Sequence, residues 1–414
     1  MSFNETSDEA TELNYKVYRH RRLSWLSWPG RLSWPGRLRW PGRKGWATLL
    51  VFTIVFTVSI GVYVNHKSVS SLAFATTGSS NAKLQVEPFP LVVVSTTPAN
   101  GTQNISPTAD IVVNFSAPLS LGTVMPTISP AINGSWVQTN QFTLTFSPAS
   151  DFMPSSTVTL TVPGGKTGVL GSHGQELNST FTASWTISSG SVSRLQQLLG
   201  QLGYLPVTFK PASSAPISPL EEVYPQFGSF SWAYANVPTS LASLWQLGSY
   251  NVMTRGAVMA FEHNNGLPTD GIAGPKVWAA LLADVLQNKV NTFGYSYVMV
   301  SKLLPETLQL WHNGQIIFTT LVNTGISVAP TADGTFPVYL RYRVTTMSGY
   351  NPNGTYYHDT GIPWTSYFNG GDALHGYIRA SYGWPQSLGC VEMSFASAGV
   401  VWPWTPIGTL VTVS

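Results

Sequence analysis

The chain has a single cysteine, Cys390, among 414 residues. No intrachain disulfide can form, and no cysteine-based zinc cage is available. Charge is almost as scarce, at 9% of residues against about 25% in an ordinary soluble domain. That argues against a cytosolic enzyme with a charged surface and against a disordered acidic or basic protein. Basic residues are also missing where a nucleic-acid partner would need them. Nine of the 21 lie between Lys16 and Lys44, and residues 65–414 hold 12 basic against 14 acidic residues, a net charge of −2. No basic face is left to neutralise phosphates, so a nucleic-acid-binding body is excluded. What is abundant is Gly (37), Pro (29), Trp (15), Tyr (17) and Phe (19). These predict many short strands and turns, spread over two to four domains at this length.

Residues 46–64 read WATLLVFTIVFTVSIGVYV, without a charge. Nineteen residues at a rise of about 1.5 Å reach about 28 Å, close to the hydrocarbon thickness of a bilayer. A basic, Trp-rich repeat precedes them: RLSWLSWPG at 22–30, RLSWPG at 31–36 and RLRWPG at 37–42. The expectation is a transmembrane helix over 46–64 that anchors the chain in the cell membrane by a single pass. Residues 1–45 would be cytoplasmic and everything after Val64 extracytoplasmic, because cytoplasmic flanks carry the excess of Lys and Arg. A cleaved signal peptide is the rival reading, on the small-x-small pattern Ala73-Phe74-Ala75. Residues 65–86, rich in Ser, Thr, Asn and Ala, read as a linker.

From 87 to 188 apolar residues alternate with polar ones. Ile111–Phe115 is a short apolar run; Phe142, Leu144 and Phe146 alternate, as do Val158, Leu160 and Val162, and Phe181, Ala183, Trp185 and Ile187. Pro, Gly and Asn turns between them predict an all-β sandwich. The stretch VVSTTPANGTQNISPTADIVVNFSAPLS resembles bacterial Ig-like domains, which implies a spacer or adhesive module without chemistry. Over 190–285 the period changes. Leu195, Leu198, Leu199 and Leu202 recur at helical spacing and Gly203 stops the helix; a second helix is expected to start at the cap Thr254, and a third after Gly274 with Pro275 in its first turn. LQQLLGQLGYL, TRGAVMAFEHNN and GLPTDGIAGPKVW together resemble a small three-helix peptidoglycan-binding domain, interrupted by an insertion over 206–250.

Strand patterning returns after Tyr295. Two apolar runs flank Asn313-Gly314, a hairpin signal because both residues tolerate positive φ. Further strands are expected around Thr335–Arg343, Leu374–Ile378 and Thr409–Val413, making a mainly β domain over 295–414. Cys390 has three readings in an exported chain: a buried small hydrophobe, a thiol awaiting an intermolecular partner, or a nucleophile. A nucleophile attacks as thiolate and, with an ordinary pKa of about 8.5, needs an imidazole beside it. His375, fifteen residues upstream and followed by Gly376, is the first candidate. His358, in an expected loop, is the second. His173, His263 and His312 fall in a sandwich turn, at a helix end and at a hairpin tip.

TGISVAPTADGTFPV (324–338), MSGYNPNGTYYHDTGIPW (347–364), Ala373-Leu374-His375-Gly376 and SLGCVE (387–392) resemble, in that order, the catalytic domain of the L,D-transpeptidases, cysteine enzymes that cross-link peptidoglycan. The resemblance covers about 297–414. It implies Cys390 as nucleophile, His375 as base and the Gly376 carbonyl as the group orienting the imidazole. Backbone amides of Leu388, Gly389 and Cys390 would form the oxyanion hole, with Ser387 shaping the turn. Ser387, Trp364, Tyr367 and Glu392 are the candidate substrate-binding residues, and Tyr377 and Trp384 further candidate walls of the cleft. No metal or organic cofactor is implied; the partners are peptidoglycan stem peptides and glycan strands. Leu388 stands where the family usually has His, and Glu392 where it usually has Arg or Asn. Glu392 is therefore expected to favour amidated over free-acid stems. A hydrolase using the same Cys390–His375 pair with water as acceptor, and a non-catalytic wall-binding scaffold, are the competing readings.

Overall fold

The computed structural model describes residues 89–414. The expected helix over 46–64 lies outside them. Among the described residues no helix is long and apolar enough to cross a membrane. The expectations of a transmembrane helix in the fold, of a single-pass membrane partner and of a membrane localisation are corrected accordingly. The described helices are at most 13 residues long, about 20 Å at 1.5 Å per residue, and the apolar side of each is taken up by packing within the protein.

Residues 91–187 form two antiparallel sheets closed on one core. One holds Val93–Thr97, Ile111–Phe115, Thr143–Pro148 and Gly134–Asn140 in that order; the other holds Thr127–Ser129, Thr157–Val162 and Phe181–Thr186. The period-two residues explain the closure. Ile111, Val113, Leu144, Val158, Leu160 and Val162 are all fully buried, and Ala183, Trp185 and Ile187 nearly so. Phe142 departs from the expected alternation. It lies in the turn that joins two strands, its amide donating to Asn140 Oδ1 (2.8 Å), and its ring is exposed.

Three helices follow: Val192–Gln201, Val252–Asn264 and Pro275–Leu286. Leu195, Leu198, Leu199 and Leu202 all turn into the core with Val258, Phe261, Trp278 and Leu281. The cap of the second helix is Asn251 rather than Thr254. Asn251 Oδ1 accepts from the amides of Met253 (3.1 Å) and Thr254 (3.2 Å), whereas the Thr254 hydroxyl is buried, donating to Ser249 O and accepting from Gln196 Nε2. The 206–250 insertion supplies a two-stranded sheet, Val207–Pro211 with Gly228–Trp232, and a short helix, Thr239–Ala242. It also touches the sandwich: the Asp151 amide donates to Pro219 O (3.0 Å) and Asp151 Oδ2 accepts from the Val223 amide (3.2 Å).

The C-terminal domain packs two sheets on a shared core of Val298, Leu310, Phe368, Leu374, Val391 and Val411. The first sheet runs Gln315–Leu321, Thr307–His312, Ser296–Ser301, Leu410–Val413, Gly334–Pro337; the second runs Leu340–Tyr350, Tyr356–Asn369, Asp372–Gly376, Val391–Met393. The Asn313-Gly314 turn has φ of 47° and 94°, the positive pair a two-residue hairpin needs. His358 lies within the strand Tyr356–Asn369, stacked on Tyr356, not in a loop.

Glu262, on the second helix, is fully buried. One carboxylate oxygen accepts from the Gly271 amide (2.9 Å) and the other has no partner. Burial pushes its carboxyl up to about 7, against the opposing effect of the Gly271 amide. A carboxyl raised on folding stabilises below its unfolded pKa, and that stability is lost as pH rises through the folded value. Between pH 4.5 and 7 the helical domain is therefore expected to lose roughly 2–3 kcal/mol through this group. Chemical denaturation of wild type and Glu262→Gln across that range checks it; parallel pH profiles for the two proteins would refute it.

Candidate active site

The local sequence sets the geometry of the C-terminal site. Asp372–Gly376 pairs in parallel with Val391–Met393, with His375 opposite Glu392. Side chains alternate along a strand, so Ala373 and His375 share a face with Glu392; Cys390 lies just before that strand, with its sulfur at Gly371 O. Leu374 and Val391 point the other way, into the core. Tyr367, paired with Ala373 on the neighbouring strand, belongs to the same face as the thiol.

His375 is buried, and its Nδ1 lies 3.0 Å from Gly376 O. A carbonyl only accepts, so Nδ1 carries a proton and, in the neutral ring, Nε2 is the basic nitrogen. Burial pushes the imidazole below its usual value, opposed by the Gly376 carbonyl and Glu392. The Tyr377 ring meets His375 edge to face at 6.0 Å, and its hydroxyl donates to Asp359 Oδ2 (3.0 Å). Cys390 is part-buried, and its sulfur lies 3.7 Å from Gly371 O. Burial is the main influence that pushes the thiol up to about 12, with Asp372 and Glu392 adding to it. No hydrogen bond joins thiol to imidazole among the described residues. Both shifts, the thiol up and the imidazole down, favour the uncharged forms.

The turn before Cys390 is fixed on several sides. Ser387 is buried; its hydroxyl donates to Cys390 O (2.5 Å) and accepts from the Gly389 amide (3.2 Å). Gln386 and Ser387 amides donate to Thr324 O, and the Ile326 amide to Ser387 O. Asn323 and Glu392 exchange a pair of backbone hydrogen bonds at 2.9 Å. Thr324 is itself held by buried Glu306, whose two carboxylate oxygens accept from the Thr324 amide (2.6 Å) and hydroxyl (2.7 Å). Gly389 has φ of +120°, and a Cβ there would lie 2.5 Å from Asp372 Oδ1. Only glycine fits both demands.

Two expected substrate residues are engaged within the protein. Trp364 packs on the core side against Trp402, ring centroids 5.5 Å apart. Its neighbours Ile362 and Phe368, in contrast to Tyr367, also face inward. Glu392 is buried and bound through both carboxylate oxygens to Arg379, Nε–Oε2 2.7 Å and Nη2–Oε1 2.8 Å. Its charge meets Arg379 and not a ligand, which removes the reason to expect a preference for amidated stems. Trp384 is exposed. Sequence reasoning missed Glu306, Asp372 and Arg379. Of these only Arg379 left a signal, as the single basic residue after Arg343.

Family models match three segments: residues 88–187 the bacterial Ig-like domain, 239–281 a putative peptidoglycan binding domain, and 295–413 the L,D-transpeptidase catalytic domain. The chain therefore carries an L,D-transpeptidase catalytic domain together with bacterial Ig-like and peptidoglycan-binding domains. Among solved structures it is similar to an L,D-transpeptidase from Mycobacterium smegmatis, at 12% identity over 78% of this chain and 99% of that one, with a TM-score of 0.26. It is similar also to L,D-transpeptidase 3 from Mycobacterium tuberculosis in complex with a faropenem-derived adduct, at 14% identity over 78% and 97%, TM-score 0.26. The catalytic domain of the E. faecium L,D-transpeptidase matches at 21% identity over 30% of this chain and 100% of that one, TM-score 0.27. No curated protein matches.

Because Cys390 is the only cysteine, its ionisation can be read without a second thiol. Alkylation by iodoacetamide is expected to quicken roughly tenfold per pH unit from pH 7 to 10 without levelling off. A plateau reached by pH 8 would contradict a raised thiol. Gly389→Ala is expected to cost about 1–3 kcal/mol in thermal or denaturant unfolding, from backbone strain and the clash with Asp372; an unchanged midpoint would count against it.

Proposed function

We propose that the chain cross-links peptidoglycan by two acyl transfers through Cys390. The observation that carries the proposal is that Cys390 immediately precedes the strand Val391–Met393, which pairs with the strand carrying His375, within a domain that matches the L,D-transpeptidase catalytic model. Nε2 of His375 takes the proton from Cys390 as sulfur attacks the carbonyl of the L,D amide that precedes the terminal D-Ala of a stem tetrapeptide. The basicity of Nε2 follows from Nδ1 being held at the Gly376 carbonyl. A tetrahedral oxyanion forms near the nucleophile turn. The Gly389 amide is already donating to Ser387 Oγ, so the amides of Leu388 and Cys390 are the donors assigned to it. Leu388 serves this role as well as a histidine would, since only its backbone is used.

The C–N bond then breaks, and D-Ala leaves with the proton from His375. The acyl group stays on sulfur as a thioester. An amine on a neighbouring stem attacks that thioester, giving its proton to His375. The C–S bond breaks and the thiol is regenerated by the same proton. The thioester conserves the acyl energy of the original amide, so no nucleotide is consumed. A neutral resting pair suits this sequence: proton transfer accompanies attack, and the thiol stays protected from oxidation between turnovers. Tyr367, on the same face, is assigned to the wall of the substrate cleft.

A carbapenem presents a strained acyl donor to the same nucleophile. Intact-protein mass spectrometry of the full chain is expected to show one covalent adduct. Cys390→Ala abolishes it, and His375→Ala slows it by 10²–10⁴-fold, the usual contribution of a general base. Adduct formation on Cys390→Ala would sink the proposal. Incubation with a tetrapeptide and an acceptor amine then reads the fate of the thioester, cross-linked dimer for a transferase and free tripeptide for a hydrolase.

A further inference from the structure

The catalytic-type domain holds few ions, and one pair is placed unusually. Glu392 follows the nucleophile by two residues, is nearly fully buried, and lies opposite His375 in the strand register. An unpaired carboxylate there would oppose the formation of a thiolate on the same face, by charge repulsion across a poorly solvated gap. Arg379 offsets this. It arrives from the loop after Gly376, and its guanidinium grips both Glu392 oxygens at 2.7 and 2.8 Å. The same guanidinium donates from Nη2 to Gln386 O (3.2 Å), on the far side of the turn Ser387–Cys390. It lies over the Tyr377 ring, 4.7 Å from the centroid, and Tyr377 in turn packs on His375. The Arg379 amide donates to Tyr382 OH (3.3 Å), which donates to Tyr377 O (2.7 Å). One side chain therefore spans both ends of the nucleophile turn and backs the ring that touches the imidazole.

We infer that Arg379 is a positioning residue: it clasps the turn that presents Cys390 and cancels the charge of Glu392 beside it. The inference rests on the reading of Cys390 as the nucleophile. It also accounts for the departure at position 392. The cation expected at that place comes instead from position 379, and the acid at 392 is what recruits it. The geometry differs from an exposed ion pair of little worth: Glu392 is desolvated, both its oxygens are bound, and loss of the partner leaves a buried charge with no compensation.

The groups facing the thiol are few. Asp372 comes from the adjoining strand, Glu392 from its own, and Tyr357 and Tyr367 from the long hairpin, with His375 opposite Glu392 in the register. Behind them stand Arg379, Tyr377 and Asp359, the last held by the Tyr377 hydroxyl, and Tyr339 near Asp372. Arg379 is the single cation in this set, so its removal leaves the carboxylates around Cys390 with no opposing charge.

The rate of Cys390 alkylation by iodoacetamide between pH 8 and 10 reads thiolate formation without requiring any turnover. Arg379→Gln is expected to slow it at least threefold at every pH. Arg379→Lys, which keeps the charge and loses the fork, falls between the two. Arg379→Gln/Glu392→Gln, neutral like the wild-type pair, returns to within twofold of wild type. A purely structural ion pair would leave the rate of folded Arg379→Gln unchanged or raise it by loosening the turn, and either result overturns the inference. Should Arg379→Gln not fold, as judged by near-ultraviolet circular dichroism, the double variant decides alone, and a rate more than threefold below wild type overturns it. Carbapenem acylation of the wild type at Cys390 is measured alongside. If that is absent while the alkylation pattern holds, the proposed chemistry fails and the electrostatic role of Arg379 stands.

Discussion

The parallel pairing of Asp372–Gly376 with Val391–Met393 is the constraint on which the site depends. A slip of one residue would turn His375 or Cys390 into the core, since alternate side chains face opposite ways. The register is held from both sides. Leu374, Val391 and Met393 are locked into the apolar layer below. On the far edge Asn323 bonds Glu392 through two backbone hydrogen bonds, and Thr324 and Ile326 tie the preceding turn. Packing fixes which face looks outward, and hydrogen bonds fix where along the strand the thiol sits.

A domain with so few charges places those it buries with care. Glu306 is inaccessible to solvent and spends both oxygens on Thr324, so the loop under the turn before Cys390 is anchored by two hydrogen bonds to one carboxyl group. Glu392 is desolvated on the opposite side and answered by Arg379. Asp372 lies against Gly389 and accepts only weak contacts, from Ala332 and Asn369 at 3.4 Å. The three carboxyl groups surround the turn, and two of them disfavour a resting thiolate. The consequence is a thiol held in its uncharged form by its surroundings.

The helical domain illustrates the same economy. Its 206–250 insertion, which interrupts the pattern of the peptidoglycan-binding family in sequence, forms a small sheet and reaches the sandwich at Asp151. Arg194, buried on the first helix, donates to Glu222 O (2.8 Å) within the same insertion. Residues 219–223 thus reach the sandwich and the first helix, while the family match begins at 239, within the expected insertion, and the three helices keep a shared apolar core.

Much of this was legible in the chain. Period-two alternation marked Val158, Leu160 and Val162 as a buried strand, helical spacing marked Leu195 to Leu202, and Asn313-Gly314 marked its hairpin, because each of these signals is local. The ordered motifs around His375 and Cys390 pointed to the chemistry before any contact was known. Local signals failed where a neighbour distant in sequence decided the matter. Phe142 was displaced outward by its turn, Thr254 lost the cap to Asn251, and Trp364 went to Trp402. Residue type and short spacing were enough to give the domain types and to single out Cys390 and His375 as candidates. Folding set Glu392 against Arg379 and left Gly389 no room for a side chain beside Asp372. Those outcomes depend on electrostatic and steric contacts between segments that the chain brings together only when it folds.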